Sequence, residues 1–291
     1  MQIQWYPGHM TKARRMMSEN LKLIDVVVEL VDARAPRATR NPDFDDLFSA
    51  KSRAVILNKC DLADPAATKE WVEYYKKQGI GVLRMVATDS SKKGSAVALI
   101  EAAAKEKVDR LKAKGVHKTV RVMVVGIPNV GKSTFINKLS GVASTVTGNR
   151  PGVTKGKQWV KISPWLELMD TPGMLWPKFD DPETALKLAF LGSIRDEIVD
   201  GEELAGKLLL ELNRLCPEKL RARFKKVEEG MEPHQLLDAV CASRGFILSG
   251  GVYDTERGAR IVLEEFRSGK IAAVTLELPQ SGPDEVSDGQ P

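Results

Sequence analysis

Only three cysteines occur in 291 residues, at positions 60, 216 and 241, and they are scattered along the chain. Cys60, Cys216 and Cys241 show neither a disulfide framework nor metal-ligand spacing, which excludes a structural zinc and fits a reducing compartment. No apolar run approaches the ~18 residues that cross a bilayer, so no membrane partner is expected. The opening stretch, MQIQWYPGHMTKARR, has neither an apolar core nor a small-residue cleavage site, which argues against a secretory signal. The expected location is therefore the cytoplasm. The basic residues of that stretch leave a transit peptide, and with it an organellar matrix, as the alternative.

Acidic residues are short in one part of the chain. Residues 1–177 carry 29 Lys and Arg against 17 Asp and Glu, a balance of +12. Residues 178–280 carry 15 against 19, a balance of −4, and residues 281–291 hold three acids and no base. A basic segment fits a polyanionic partner, RNA or DNA, or solubility alone. The 43% hydrophobic and 29% charged content is ordinary for a globular protein with a sizeable core. The length suits one large domain or two modest ones.

Four short runs are apolar on both faces: IDVVVELV at 24–31, RAVILN at 53–58, GVLRMVA at 81–87 and VRVMVVG at 120–126. Parallel strands buried between helices read this way. Helix-like stretches at 65–78, 94–114 and 132–140 alternate with them, which predicts a doubly wound, mostly parallel α/β sheet. GKQWVKI and WLELMD, split by Ser163-Pro164, read as an antiparallel hairpin at one edge. From about residue 178 the apolar spacing becomes helical in five successive segments, several opening on Asp or Thr or carrying Pro in the first turn. The expected organisation is a basic N-terminal segment (1–23), an α/β domain (24–177), a small all-helical domain (178–280) and a tail (281–291) without core-forming residues.

The stretch GIPNVGKS, Gly126–Ser133, fits G-x-x-x-x-G-K-[ST] between an apolar strand and a helix, the context that pattern requires. Backbone N–H groups of such a loop, with the helix start, cradle phosphate oxygens. Asn129, Val130, Gly131, Lys132, Ser133 and Thr134 form the expected phosphate-binding set. Lys132 would reach the β- and γ-phosphates as a catalytic charge, and Ser133 would ligate Mg²⁺. In LMDTPG, Asp170 would hold the same ion through water and the Gly173 N–H would bond the γ-phosphate. An ordinary Asp-Thr-Pro-Gly turn is the plainer alternative. Between the two motifs, Thr154 in NRPGVTKG is the favoured switch threonine for Mg²⁺ and catalysis, with Thr145 and Thr147 as rivals.

Asn58, Lys59 and Asp61 in ILNKCDLAD form N-K-x-D at the end of a buried strand, where α/β ligands bind. Guanine presents donors at N1 and N2 that one carboxylate, Asp61, accepts as a fork. Adenine has no matching donors, and a site built on such bonds rejects the analogue that lacks them. Asn58 would tie this loop to the phosphate loop, and the Lys59 stem would pack over the base. Backbone N–H groups for guanine O6 would come from Val86 and Ala87, or from Ser90–Lys92 just beyond. The order is unusual: Asn58 precedes Gly126 by 68 positions, whereas a base quartet ordinarily follows the phosphate loop.

With WYPGHM, LVDARAP, NKCDL, GIPNVGKSTFIN, RPGVTKGKQWV and DTPGMLWPKF in this order, the chain resembles the ribosome biogenesis GTPase A family of circularly permuted GTPases. The resemblance is dense over the α/β part and weaker over the helices. It implies a permuted P-loop G domain whose former ends are joined through residues 94–119 and whose chain is cut after DTPG. Other permuted GTPases add an OB barrel or zinc ligands. Residues 1–23 are too short for a barrel, and no Cys/His cluster is present.

The resemblance further implies an enzyme that converts GTP to GDP and phosphate during late maturation of the large ribosomal subunit, in contact with precursor rRNA and ribosomal proteins. A switch acting on a non-ribosomal protein or RNA is the alternative, and a monomer is expected. Met174 follows DTPG where many small GTPases carry a water-orienting Gln, so intrinsic turnover should be slow. The resemblance points to His9 as the catalytic group on the engaged target, against a role in capping the N-terminal helix or packing beside Trp5. Asn129 resembles the position that holds K⁺ in potassium-stimulated GTPases, or else bonds its own backbone. Basic residues at 12–15, 105–121 and 218–226 fit rRNA phosphate. Since the chain leaves DTPG for the helical domain through MLWPKFDDP, the γ-phosphate should reposition that domain.

Overall fold

The computed structural model of the chain describes residues 9–116, 118–141, 158–176 and 181–279. Strands β1 (Val26–Asp32), β2 (Ser52–Asn58), β3 (Gly81–Arg84), β4 (Val120–Val125), β5 (Gln158–Ser163) and β6 (Leu166–Asp170) form one sheet in the order β3-β2-β1-β4-β6-β5. All pairs are parallel except β5 with β6, the hairpin expected at an edge. β3 ends at Arg84 rather than at residue 87: Met85 N–H still bonds Leu57 O, and the chain then turns between Val86 and Asp89.

Strand side chains alternate between two helix layers, as the pleat requires. Val26, Val28, Val122 and Val124 face Ile100 and Ala104 of α4 (Lys93–Lys112) and Phe135, Ile136 and Leu139 of α5 (Lys132–Ser140). Val27, Met123 and Val125 face the opposite layer, with α1 (His9–Asn20) and α2 (Asp43–Leu47). On that side α3 (Pro65–Lys77) covers Val31, Val55 and Leu57 with Trp71 and Tyr75. Asp64 caps α3 by accepting the Ala67 N–H. The basic N-terminal segment thus contributes a helix to the sheet layer: Met10, Ala13 and Met17 are buried, while Lys12, Arg14 and Arg15 stay exposed.

The helical region holds α6 (Pro182–Phe190), α7 (Gly201–Leu215), α8 (Pro217–Arg223), α9 (Pro233–Arg244) and α10 (Thr255–Arg267). Asp181, Asp200 and Asp254 accept N–H groups at the starts of α6, α7 and α10. A Cβ at Gly258 would lie 2.5 Å from Cys241 Sγ, so glycine permits the close approach of α10 to α9. Glu265 of α10 ties Arg223 and Arg244 together. After α10 the chain runs back along the α/β domain: Val274 N–H bonds Leu62 O, and Leu276 N–H bonds Arg34 O at 2.7 Å. The Glu277 carboxylate accepts the Arg37 and Ala38 N–H groups. Among the described residues no helix is long and apolar enough to cross a membrane.

Candidate functional site

The phosphate loop spans the gap between β4 and α5. Gly126 has φ +148 and Gly131 φ +104, and a Cβ would lie 2.6 Å from Leu30 O at the first and 2.4 Å from Asn58 Nδ2 at the second. Both positions therefore need glycine. Lys132 is buried and its Nζ donates to Ile127 O at 2.8 Å. Burial pulls its pKa down to about 8, against the counter-charge of Asp170. A buried ammonium held chiefly by a carbonyl is a cation that an anion would satisfy.

Ser133 Oγ donates to Asp170 Oδ2 at 2.7 Å. Asp170 is fully buried, and its Oδ1 has no hydrogen-bond partner among the described residues. Burial pushes its carboxyl above the usual range despite Ser133 and Lys132. A hydroxyl beside an orphaned carboxylate oxygen is a hard-oxygen donor set, so these residues fit Mg²⁺. Among the described residues no three His, Cys, Asp or Glu gather as an all-protein metal cage, which suits an ion shared with phosphates and water.

Gly173 touches the phosphate loop so closely that a Cβ would sit 2.6 Å from both Pro128 Cα and Pro128 N. Met174 N–H bonds Gly126 O at 3.2 Å, and buried Asn41 donates to Met174 O at 3.0 Å. The Met174 side chain is buried with Ala13, Met17, Phe44 and Phe48. The position that carries a water-orienting Gln elsewhere is here part of a hydrophobic core beneath α1.

The base side converges on the same loop. Asn58 Nδ2 donates to Val130 O at 2.7 Å, and its Oδ1 accepts the Ala87 N–H at 2.8 Å. This one amide links the N-K-x-D loop, the phosphate loop and the loop after β3. The Ala87 N–H, expected to face guanine O6, is thereby engaged by Asn58, and Val86 O accepts the Asp89 N–H. The Thr88 N–H at the tip of that loop has no partner among the described residues. Lys59, with φ +59, donates to Asn129 O at 2.9 Å and pairs with Asp32 at 2.9 Å. Asp61 is exposed and makes no hydrogen bond or ion pair among the described residues.

Thr154, Thr145 and Thr147 lie outside the described residues, as does the side chain of His9 at the start of α1. Three polar residues at the site carried no individual expectation. Asp32 and Arg34, inside LVDARAP, form a buried pair at 2.8 Å. Burial would raise the Asp32 carboxyl, but Arg34 and Lys59 outweigh it and hold it well below the usual range. The third is Asn41. The available signal was charge inside and just after an otherwise apolar strand.

A profile described as 50S ribosome-binding GTPase matches residues 121–221. That stretch starts at β4 and leaves out the base quartet, as the permuted order requires. The chain is 46% identical over 281 residues to the ribosome biogenesis GTPase A of Priestia megaterium, covering 96% of this chain and 98% of that one. It is 35% identical over 283 residues to mitochondrial ribosome-associated GTPase 1 of Xenopus tropicalis, covering 93% and 83%. The crystal structure of GNP-bound YlqF from T. maritima aligns with a TM-score of 0.66 at 31% identity, covering 92% of this chain and 99% of that chain. The similarity runs through both the α/β and the helical parts, and the guanine motif precedes the phosphate loop in one continuous sheet: the chain belongs to the ribosome biogenesis GTPase A family of circularly permuted GTPases.

Proposed function

We propose that this chain is a GTP-hydrolysing assembly factor that acts late in maturation of the large ribosomal subunit. The observation that carries the nucleotide reading is Asn58, whose single amide bonds Val130 of the phosphate loop and Ala87 of the base loop. In this reading Asp61 accepts guanine N1 and N2, Lys59 covers the base, and the loop from Val86 through Thr88 lies along the O6 edge. Lys132 and the N–H groups of 129–134 hold the phosphates, while Ser133 and Asp170 hold Mg²⁺, with Thr154 joining when the γ-phosphate is present. Held there, a magnesium ion would supply neutralisation of the phosphate charge.

The ribosomal target is supported by the names of the relatives and by basic residues outside the nucleotide site, including Lys12, Arg14 and Arg15 on α1. Bacterial and mitochondrial relatives both exist, which fits a cytoplasmic or an organellar-matrix setting. Met174, buried in the core, cannot orient a water, so a group from elsewhere must. His9, at the start of the helix that covers Met174, is the proposed one.

GTP hydrolysis measured with and without purified large subunits tests this reading. Subunits are expected to stimulate turnover, and His9→Ala to remove most of that stimulation, about 100-fold for a group that handles a proton or water, while slow intrinsic turnover persists. Absence of stimulation would favour a non-ribosomal partner. A potassium ion held by Asn129 against the phosphates is the second catalytic element proposed. Hydrolysis several-fold faster in K⁺ than in Na⁺ is the expected result, and equal rates would remove the ion from the scheme.

A further inference from the structure

Two of the connections between the helical region and the nucleotide loops pass through Arg267, the last residue of α10. The first uses its main chain. Arg267 O accepts from Arg34 Nη1 at 3.3 Å, and the Arg34 guanidinium lies over the Phe266 ring at 5.5 Å. Arg34 is fully buried and forks onto Asp32 at 2.9 and 2.8 Å. Asp32 in turn pairs with Lys59, whose Nζ also donates to Asn129 O.

The second connection uses the Arg267 side chain. Its guanidinium donates to Phe190 O at 3.0 Å and Ala189 O at 2.9 Å, closing the last turn of α6, and it pairs with Asp196 at 2.7 Å. It packs on Gly192, where φ is +71 and a Cβ would lie 3.1 Å from Arg267 Nε. Gly192 O accepts from Asn129 Nδ2 at 2.6 Å. The two paths therefore meet at Asn129 and form a closed ring.

The ring holds the two non-glycine residues with positive φ among the described residues, Lys59 at +59 and Asn129 at +60. Such backbone persists only where its surroundings enforce it. Both residues bond to partners far away in the chain, Lys59 to Asn129 and Asp32, and Asn129 to Gly192.

We propose that Arg267 is a positioning residue that locks base-side Lys59 and phosphate-loop Asn129 in nucleotide-ready geometry, so that docking of α10 and occupancy of the guanine nucleotide site reinforce one another. The proposal rests on the nucleotide reading above, and it is separate from coupling through the DTPG exit. The DTPG loop senses the γ-phosphate, whereas Lys59 and Asn129 flank the base and the inner phosphates. Arg267 should thus act on GDP and GTP alike. Because coupling free energies are reciprocal, bound GDP should also tighten the seating of α10.

The test is release of fluorescently labelled GDP and of a labelled non-hydrolysable GTP analogue, followed by stopped flow. Arg267→Ala is expected to release both about tenfold faster, within the usual range for coupled sites. Arg267→Lys, which keeps the charge and loses the fork, should fall between. Arg260→Ala, on the exposed face of the same helix, should match the wild type. Turnover at saturating GTP in Na⁺ buffer, where an ion held by Asn129 does not contribute, should not change. Combining Arg267→Ala with Asn129→Ala should accelerate release by less than the product of the two single effects. Should Arg267→Ala fail to fold, Gly192→Ala, which crowds the guanidinium, carries the same prediction. Unchanged release in a folded variant, full additivity, or an effect on the GTP analogue alone would overturn the clamp. Failure of the wild type itself to bind labelled GDP would instead overturn the nucleotide reading.

Discussion

Asp61→Asn is expected to cost the protein its recognition of guanine and to admit xanthosine triphosphate. In the proposed site the carboxylate accepts from guanine N1 and N2 together. An amide in its place presents one acceptor and one donor, and the donor meets the N2 amino group head-on. Xanthine carries an oxygen at that position, which the new donor can satisfy. Sites built on buried hydrogen bonds reject a mismatched analogue by about 10⁴-fold, and the change in preference between GTP and xanthosine triphosphate should approach that size. The substitution is clean because Asp61 is exposed and has no hydrogen bond or ion pair among the described residues. The melting temperature should stay within about 1–2 °C, since surface changes of this kind lie within ±0.5 kcal/mol. Competition of GTP, ATP and xanthosine triphosphate against labelled GDP measures the effect. GTP affinity within a few-fold of wild type would remove Asp61 from the base site.

The expectations at Asp61 and Lys132 could be drawn from sequence because the chemistry they invoke is local. A fork of acceptors for guanine and a turn rich in N–H groups for phosphate each need only a few consecutive residues. The sheet was legible for a related reason, since strands buried on both faces must be apolar throughout. The permutation showed in motif order alone, because moving the chain ends leaves each loop at the same end of the sheet. What stayed hidden depends on contacts between distant residues. Met174 reads as a missing polar group, and its burial becomes visible only once α1 and α2 cover it. Ala87 reads as a free N–H until the Asn58 amide turns onto it. Residues 271–279 read as the end of the helical domain, yet their N–H groups reach Leu62 and Arg34 in the α/β domain. Asp32 and Arg34 sit inside a motif that marked the family, but their role as a link between Lys59 and α10 requires a partner more than 200 positions away.

The other large effect is expected at Gly173→Ala. A methyl group there would lie 2.6 Å from Pro128 Cα and N, which are backbone atoms of the phosphate loop and cannot swing aside. Either the loop after β6 or the phosphate loop must move. Both are pinned nearby, by the Met174 N–H on Gly126 O and by Asn41 on Met174 O, so the displacement falls on residue 173 itself. Its N–H is the proposed donor to the γ-phosphate. Loss of one preorganised donor of this type costs about 10²–10³ in turnover, and subunit-stimulated hydrolysis should fall by that amount. GDP has no γ-phosphate and should bind Gly173→Ala nearly as it binds the wild type, while the non-hydrolysable GTP analogue loses its advantage. That pattern is the reverse of the one expected for Arg267→Ala, which should weaken both nucleotides and spare saturated turnover in Na⁺ buffer. The two substitutions therefore separate a γ-phosphate path through DTPG from a base-side path through α10. Wild-type hydrolysis in Gly173→Ala would leave the DTPG loop without a role in sensing the γ-phosphate, and the exit through MLWPKFDDP would then carry no nucleotide signal to the helices.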